Sequence, residues 1–140
     1  MDKAGPIVII DDDPDDQELM KELLTELTGT QEIVIFDSSD AALRFLRRPE
    51  VKPFLILSDI KMPISGGFEL RKEIFDDNVL REKCVPYLFL TTGAVPEVIR
   101  EAYGLSVQGI FQKANSIGEW KNQLKKIVDY WLEAKSPNRY

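Results

Sequence analysis

A chain of 140 residues is long enough for one domain with its own core. Its 44% hydrophobic and 30% charged residues exclude a disordered or fibrous chain. A net charge of −6 repels nucleic acid phosphates and anionic lipid, so neither nucleic acid nor membrane is expected as a direct partner.

The absence of histidine rules out any mechanism that needs a histidine base, phosphodonor or metal ligand from this chain. The lone Cys84 can form neither an internal disulfide nor a cysteine-rich zinc site. A reducing compartment follows, and a cytoplasmic location is expected.

Five short apolar segments punctuate the chain, and helix-length stretches separate them. Ile7 to Ile10 is the first strand. Leu19, Leu23, Leu24 and Leu27 after it share one helical face. Ile33 to Phe36 is the second strand, followed by a helix carrying Ala41, Ala42, Phe45 and Leu46. Phe54 to Leu57 is the third, followed by a helix from about Gly67 with Phe68, Leu70 and Ile74. Tyr87 to Leu90 is the fourth, followed by a shorter helix with Val95, Val98, Ile99 and Ala102. Gln108 to Phe111 is the fifth, and the last helix aligns Ile117, Trp120, Leu124, Ile127 and Trp131. All but the last of these strands read as continuous apolar runs, the pattern of a parallel sheet covered on both faces. Alternating β and α units with right-handed crossovers predict an open, doubly wound sheet.

In such sheets ligands bind beyond the carboxyl ends of the strands. The first strand ends in Asp11, Asp12 and Asp13, the third in Ser58-Asp59, the fourth in Thr91-Thr92-Gly93 and the fifth in Gln112-Lys113. A converging set of carboxylates needs a cation to stay ionised. Oxygen ligands of this kind suit Mg²⁺, a lysine suits phosphoryl oxygens, and a threonine hydroxyl can donate to one of them. The chemistry implied is phosphoryl transfer to a carboxylate.

These residues resemble the response-regulator receiver domain of two-component signalling, over residues 6 to 132. The matching pieces are Ile9-Ile10-Asp11-Asp12, the block Leu57-Ser58-Asp59-Ile60-Lys61-Met62-Pro63, Thr91 and Lys113. The resemblance implies a (βα)5 flavodoxin-like fold with strand order 2-1-3-4-5. It implies that Asp59 is the phosphoacceptor and that Asp12 and Asp59 bind Mg²⁺ directly, with Asp11 acting through water. The backbone carbonyl of Lys61 would be a further ligand, and Thr91 and Lys113 would hold the phosphoryl group. A sensor histidine kinase or histidine phosphotransfer protein would be the donor. A downstream protein partner would be met through the fourth helix, fifth strand and fifth helix, a face that could also form a homodimer. On this reading the protein is a switch rather than a metabolic enzyme and catalyses only its own phosphorylation and dephosphorylation. Residues 6 to 134 would form the receiver domain, residues 1 to 5 and 135 to 140 frayed tails, with no output domain.

Three positions depart from the family pattern. Gly66-Gly67 stands where Asp-Gly is usual. Ala114 follows Lys113 where a cis proline is usual, and a trans peptide is expected because a non-proline cis bond costs about 3 kcal/mol. Ile110 replaces the switching aromatic residue, and Phe111 should face the opposite side of its strand.

Local structure offers competing readings. Asp13 suits a helix N-cap, Pro14 the first helical position, and Asp15 and Asp16 the positive end of the helix. Asp11, Asp13, Asp15 and Glu22 partly match a calcium loop, but Asp16 occupies the position that needs glycine. Asp11 and Asp13 mimic the Asp-x-Asp start of a haloacid-dehalogenase-type phosphotransfer enzyme, the main alternative function. A degenerate receiver acting only as a binding module is another. Trp120 and Trp131 read as core, and Cys84 as inert.

Overall fold

A computed structural model describes residues 5–62 and 66–139. Pro63, the last residue of the block after Asp59, lies outside the described residues, as do residues 1 to 4 of the expected N-terminal tail. The elements run β1 (Ile7–Ile10), α1 (Pro14–Thr28), β2 (Ile33–Phe36), α2 (Ser39–Leu46), β3 (Leu55–Ser58), α3 (Gly67–Asp76), α4 (Asn78–Lys83), β4 (Tyr87–Thr91), α5 (Pro96–Gly104), β5 (Gly109–Gln112) and α6 (Ile117–Glu133). The five strands form one parallel sheet in the order β2-β1-β3-β4-β5, as expected.

Alternation within each strand divides the core in two. Ile7 and Ile9 of β1 and Leu55 and Leu57 of β3 pack with Leu24 of α1 and Trp120 and Leu124 of α6. Val8 and Ile10, with Ile56, Tyr87 and Phe89, pack with Leu46, Leu70, Ile74 and Ala102 from α2, α3 and α5. Both faces are covered, which is why the strands carry no polar stripe. Each fully buried leucine or isoleucine contributes about 1.5–3 kcal/mol by leaving water. β2 differs: it is a sheet edge, and its four residues are only half-buried.

Helix starts follow local chemistry. The Asp13 side chain caps α1, accepting from the backbone N–H of Asp15 at 2.9 Å and of Asp16 at 3.3 Å, and Pro14 is the first helical residue. Gly29, at φ 73°, ends α1 by donating its N–H to the Thr25 carbonyl. Ser38 and Ser116 cap α2 and α6 in the same manner as Asp13.

Four expectations are corrected. The single helix expected after the third strand is two, because Asp77 adopts an extended backbone and caps a new helix, accepting from Val79 and Leu80 N–H at 3.0 and 3.1 Å. Ile117 and Val95, assigned to apolar faces, are 63% and 51% exposed. Each stands at the very start of its helix, beyond the sheet that would bury it. Residues 135 to 139 are not frayed, while Tyr140 lies outside the described residues. The Asn138 side-chain amide donates to the carbonyls of Pro53 and Lys83, at 3.0 and 2.5 Å, and Ser136 and Arg139 pair through their backbones.

α3 carries a feature that no periodicity suggested. Arg71 is 1% exposed. Its Nε donates to the Leu105 carbonyl at 3.0 Å and its Nη2 to the Ser106 carbonyl at 2.9 Å, while its guanidinium lies over the Tyr87 ring. Ser106 sits in the left-handed region at φ 60°, in the turn between α5 and β5. Arg71 thus ties α3 to that turn.

Candidate functional site

The parallel sheet brings all five carboxyl ends to one edge. Register sets the first neighbours: Ile10 pairs with Ser58, so Asp11 and Asp59 leave adjacent strands side by side. The backbone continues the ladder, with Asp59 N–H donating to the Ile10 carbonyl at 2.8 Å and Asp11 N–H to the Phe36 carbonyl at 3.0 Å. On the other side, Lys113 N–H donates to the carbonyl of Thr91 at 2.8 Å, so the fifth strand delivers its lysine at the same level.

The side chains then converge. Lys113 Nζ donates to Asp11 Oδ2 at 2.8 Å, Asp16 Oδ2 at 2.7 Å and Asp59 Oδ2 at 3.1 Å. Asp59 Oδ1 accepts from the backbone N–H of Ile60 at 2.7 Å and of Lys61 at 3.4 Å. Asp11 Oδ1 accepts from Asp13 N–H at 2.9 Å, and the Asp11 carbonyl accepts from the Gln17 amide. Asp11, Asp12 and Asp59 each present an oxygen within 4.8 Å of the other two, a grouping able to hold a metal ion.

Burial sets the electrostatics. Asp11 is pushed above its ordinary value chiefly by burial, which Lys113 only partly offsets. Burial also works against the charged form of Lys113, but its bonds to Asp11 and Asp16 and the nearby Asp59 outweigh that and hold the ammonium above its ordinary value. The three carboxylates bonded to Lys113, with Asp12 beside them, leave an excess of negative charge over the single ammonium. The donor set is therefore hard oxygen with a charge deficit, which fits a small divalent cation that retains water ligands.

Five of the sequence-assigned positions stand together here: Asp11, Asp12, Asp59, Lys113 and, on the adjacent strand end, Thr91. Thr91 is buried at the end of β4 and makes no hydrogen bond to the carboxylates. Lys61 contributes its backbone N–H to Asp59, and its side chain turns toward Gly93. The Lys113–Ala114 peptide is trans, and among the described residues the one cis bond is Val85–Pro86. Ile110 packs with the α2–α5 core and Phe111 with the α1–α6 core, so the two do face opposite ways.

Asp16 is the neighbour of this cluster that the sequence reading missed. Its position in the first helical turn gave it a dipole role, and nothing local signals a lysine 97 residues away. Trp120 also does more than fill the core, since its indole N–H donates to the Ala114 carbonyl and pins the loop after Lys113. Asp13, by contrast, is exposed and occupied as a cap. The metal-competent group is therefore neither the calcium series through Glu22 nor the Asp-x-Asp pair.

The sequence profile of the response regulator receiver domain matches residues 7–125. This chain belongs to that family. Among its relatives, the response regulator Rcp1 of Synechocystis sp. (strain PCC 6803) is 27% identical over 140 residues, spanning 94% of each chain. The crystal structure of the phosphorylated cyanobacterial phytochrome response regulator RcpA superposes with a TM-score of 0.86 at 27% identity, covering 95% of this chain and 98% of that one. The Mn²⁺-bound form of Rcp1 superposes with a TM-score of 0.82 at 26% identity, covering 94% and 97%. In this receiver domain of the two-component class, the carboxylates of Asp11, Asp12 and Asp59 cluster beside Lys113, which is also ion-paired to Asp16.

Proposed function

We propose that this receiver domain is a phosphorylatable switch whose acceptor is Asp59, served by a sensor histidine kinase or a histidine phosphotransfer protein. The observation that carries this reading is the asymmetry of the Asp59 carboxylate. Oδ1 is tied to two backbone N–H groups, while Oδ2 faces Lys113. One oxygen fixes the orientation and the other lies beside a cation that can neutralise an incoming phosphoryl group.

In the transfer, a carboxylate oxygen of Asp59 attacks the phosphorus of a phosphohistidine. The P–N bond breaks and its electron pair leaves with the partner's imidazole. Lys113 offers its charge to the phosphoryl oxygens, and Thr91 is assigned to donate its hydroxyl to one of them. Asp11, Asp12, Asp59 and the carbonyl of Lys61 would hold Mg²⁺. When bound, such a cation neutralises charge on the transferring group. The relatives support this: one was crystallised phosphorylated and another with Mn²⁺.

The receiver domain spans residues 6 to 134, with Lys135 to Arg139 folded back against it. The expected fourth helix–fifth strand–fifth helix face is α5-β5-α6, which exposes Val95 and Tyr103. We assign this face to the downstream partner and to homodimer formation. The buried free Cys84 suits the reducing cytoplasm. Among the described residues no helix is long and apolar enough to cross a membrane.

The test is incubation with acetyl phosphate and Mg²⁺ followed by intact-mass measurement. A gain of one phosphoryl group is expected, absent in Asp59→Asn and absent in excess chelator. A gain that persists in Asp59→Asn overturns the assignment.

A further inference from the structure

We propose that Asp16 is a positioning residue for this site: it holds the Lys113 ammonium in place when the oxygens of Asp11, Asp12 and Asp59 turn to a divalent cation. The inference rests on the phosphoacceptor reading above.

An ammonium has three N–H donors, and Lys113 spends them on three carboxylates. Two of these, Asp11 and Asp59, belong to the metal-competent group. Asp16 does not, yet its 2.7 Å contact is the shortest of the three. The lysine side chain is 4% exposed, so an ammonium that lost its carboxylates to a cation would be stranded away from water. Asp16, 24% exposed, is the partner that remains.

Both ends of this pair are fixed. Asp16 stands on the first turn of α1, whose start is held by the Asp13 cap. Lys113 is held through its own N–H on Thr91 and by the Trp120 bond to the following carbonyl. The ion pair therefore joins α1 to β5 across the mouth of the site. Asp15 offers an internal comparison: it carries the same charge on the same turn, is exposed, and does not touch Lys113.

The experiment is calorimetric titration of the full chain with Mg²⁺. Asp16→Ala should weaken Mg²⁺ binding about tenfold, the equivalent of one charge-assisted hydrogen bond. Asp16→Asn, which keeps an acceptor oxygen for Lys113, should fall between Asp16→Ala and the parent. Asp15→Ala should change affinity by less than about twofold, since a screened surface charge acts weakly. In a Lys113→Met background the Asp16→Ala effect should vanish, because the residue acts only through that lysine. Thermal unfolding of each variant identifies loss of folding separately. Equal effects of Asp15→Ala and Asp16→Ala, or an Asp16→Ala effect that survives Lys113→Met, overturn the positioning role while leaving the phosphoacceptor reading intact. A parent chain that binds Mg²⁺ and takes phosphate only elsewhere than Asp59 overturns both.

Discussion

A Cβ added to Gly67 would lie 2.2 Å from the carbonyl oxygen of Asp59 and 2.8 Å from the Cα of Ile60. α3 therefore begins in direct backbone contact with the loop that carries the proposed acceptor, and Gly67 N–H donates to the Ile60 carbonyl at 2.7 Å. Glycine is required here for close approach.

Gly67→Ala should destabilise the fold by about 1–3 kcal/mol through overpacking and should slow phosphorylation by acetyl phosphate by shifting Asp59. Gly118→Ala, in a helix start with nothing within 4 Å, should instead stabilise by about 0.4–1 kcal/mol. Urea denaturation of the two variants reads the opposite signs.

Two neighbouring aspartates should behave differently. Asp12 belongs to the metal-competent group, whereas Asp13 caps α1. Asp12→Ala should weaken Mg²⁺ binding and raise the thermal midpoint as carboxylate repulsion falls. Asp13→Ala should cost about 1 kcal/mol with Mg²⁺ affinity nearly kept. Calorimetric titration and thermal melts on the same two variants check both halves.

Arg71 holds the α5–β5 turn from beneath α3. Removing it leaves the Leu105 and Ser106 carbonyls without this partner and empties the space over Tyr87. Arg71→Ala should cost about 2–4 kcal/mol, and Arg71→Lys should recover only part because an ammonium cannot span both carbonyls in one plane. Denaturant midpoints give the comparison.

Burial pushes the Cys84 thiol from 9.0 up to about 12. The unfolded chain therefore releases that proton before the native chain does. Its contribution to stability is complete below pH 9 and declines as pH rises toward about 12. Burial raises Tyr87 as well, so the two act in the same direction. Stability measured by urea denaturation should fall across this alkaline window, and Cys84→Ala should flatten the part of the slope that begins near pH 9.

The meeting of the site residues at one edge was legible in the chain because a parallel βα sheet turns sequence position into place. Asp11, Asp12, Asp59, Thr91 and Lys113 each end or follow an apolar run, and strands pointing one way deliver their ends to one edge. The Asp13 cap and Pro14 were equally legible, since capping depends only on the next three residues. What local rules do not hold is which of several adjacent carboxylates turns toward a distant lysine. Asp15 and Asp16 are equivalent as residues in a first helical turn, and the packing of α1 against the sheet rotates one toward Lys113 and the other toward water. The burial of Arg71 depends likewise on a turn 34 residues further on, and the docking of Asn138 on carbonyls 85 and 55 residues earlier. Periodicity could not separate Trp120, buried on α6, from Ile117 at its exposed start, because burial needs a facing surface as well as an apolar side chain. Tertiary packing alone decided these contacts, since each is made between segments whose separation in the chain is far longer than the reach of any helix, turn or cap.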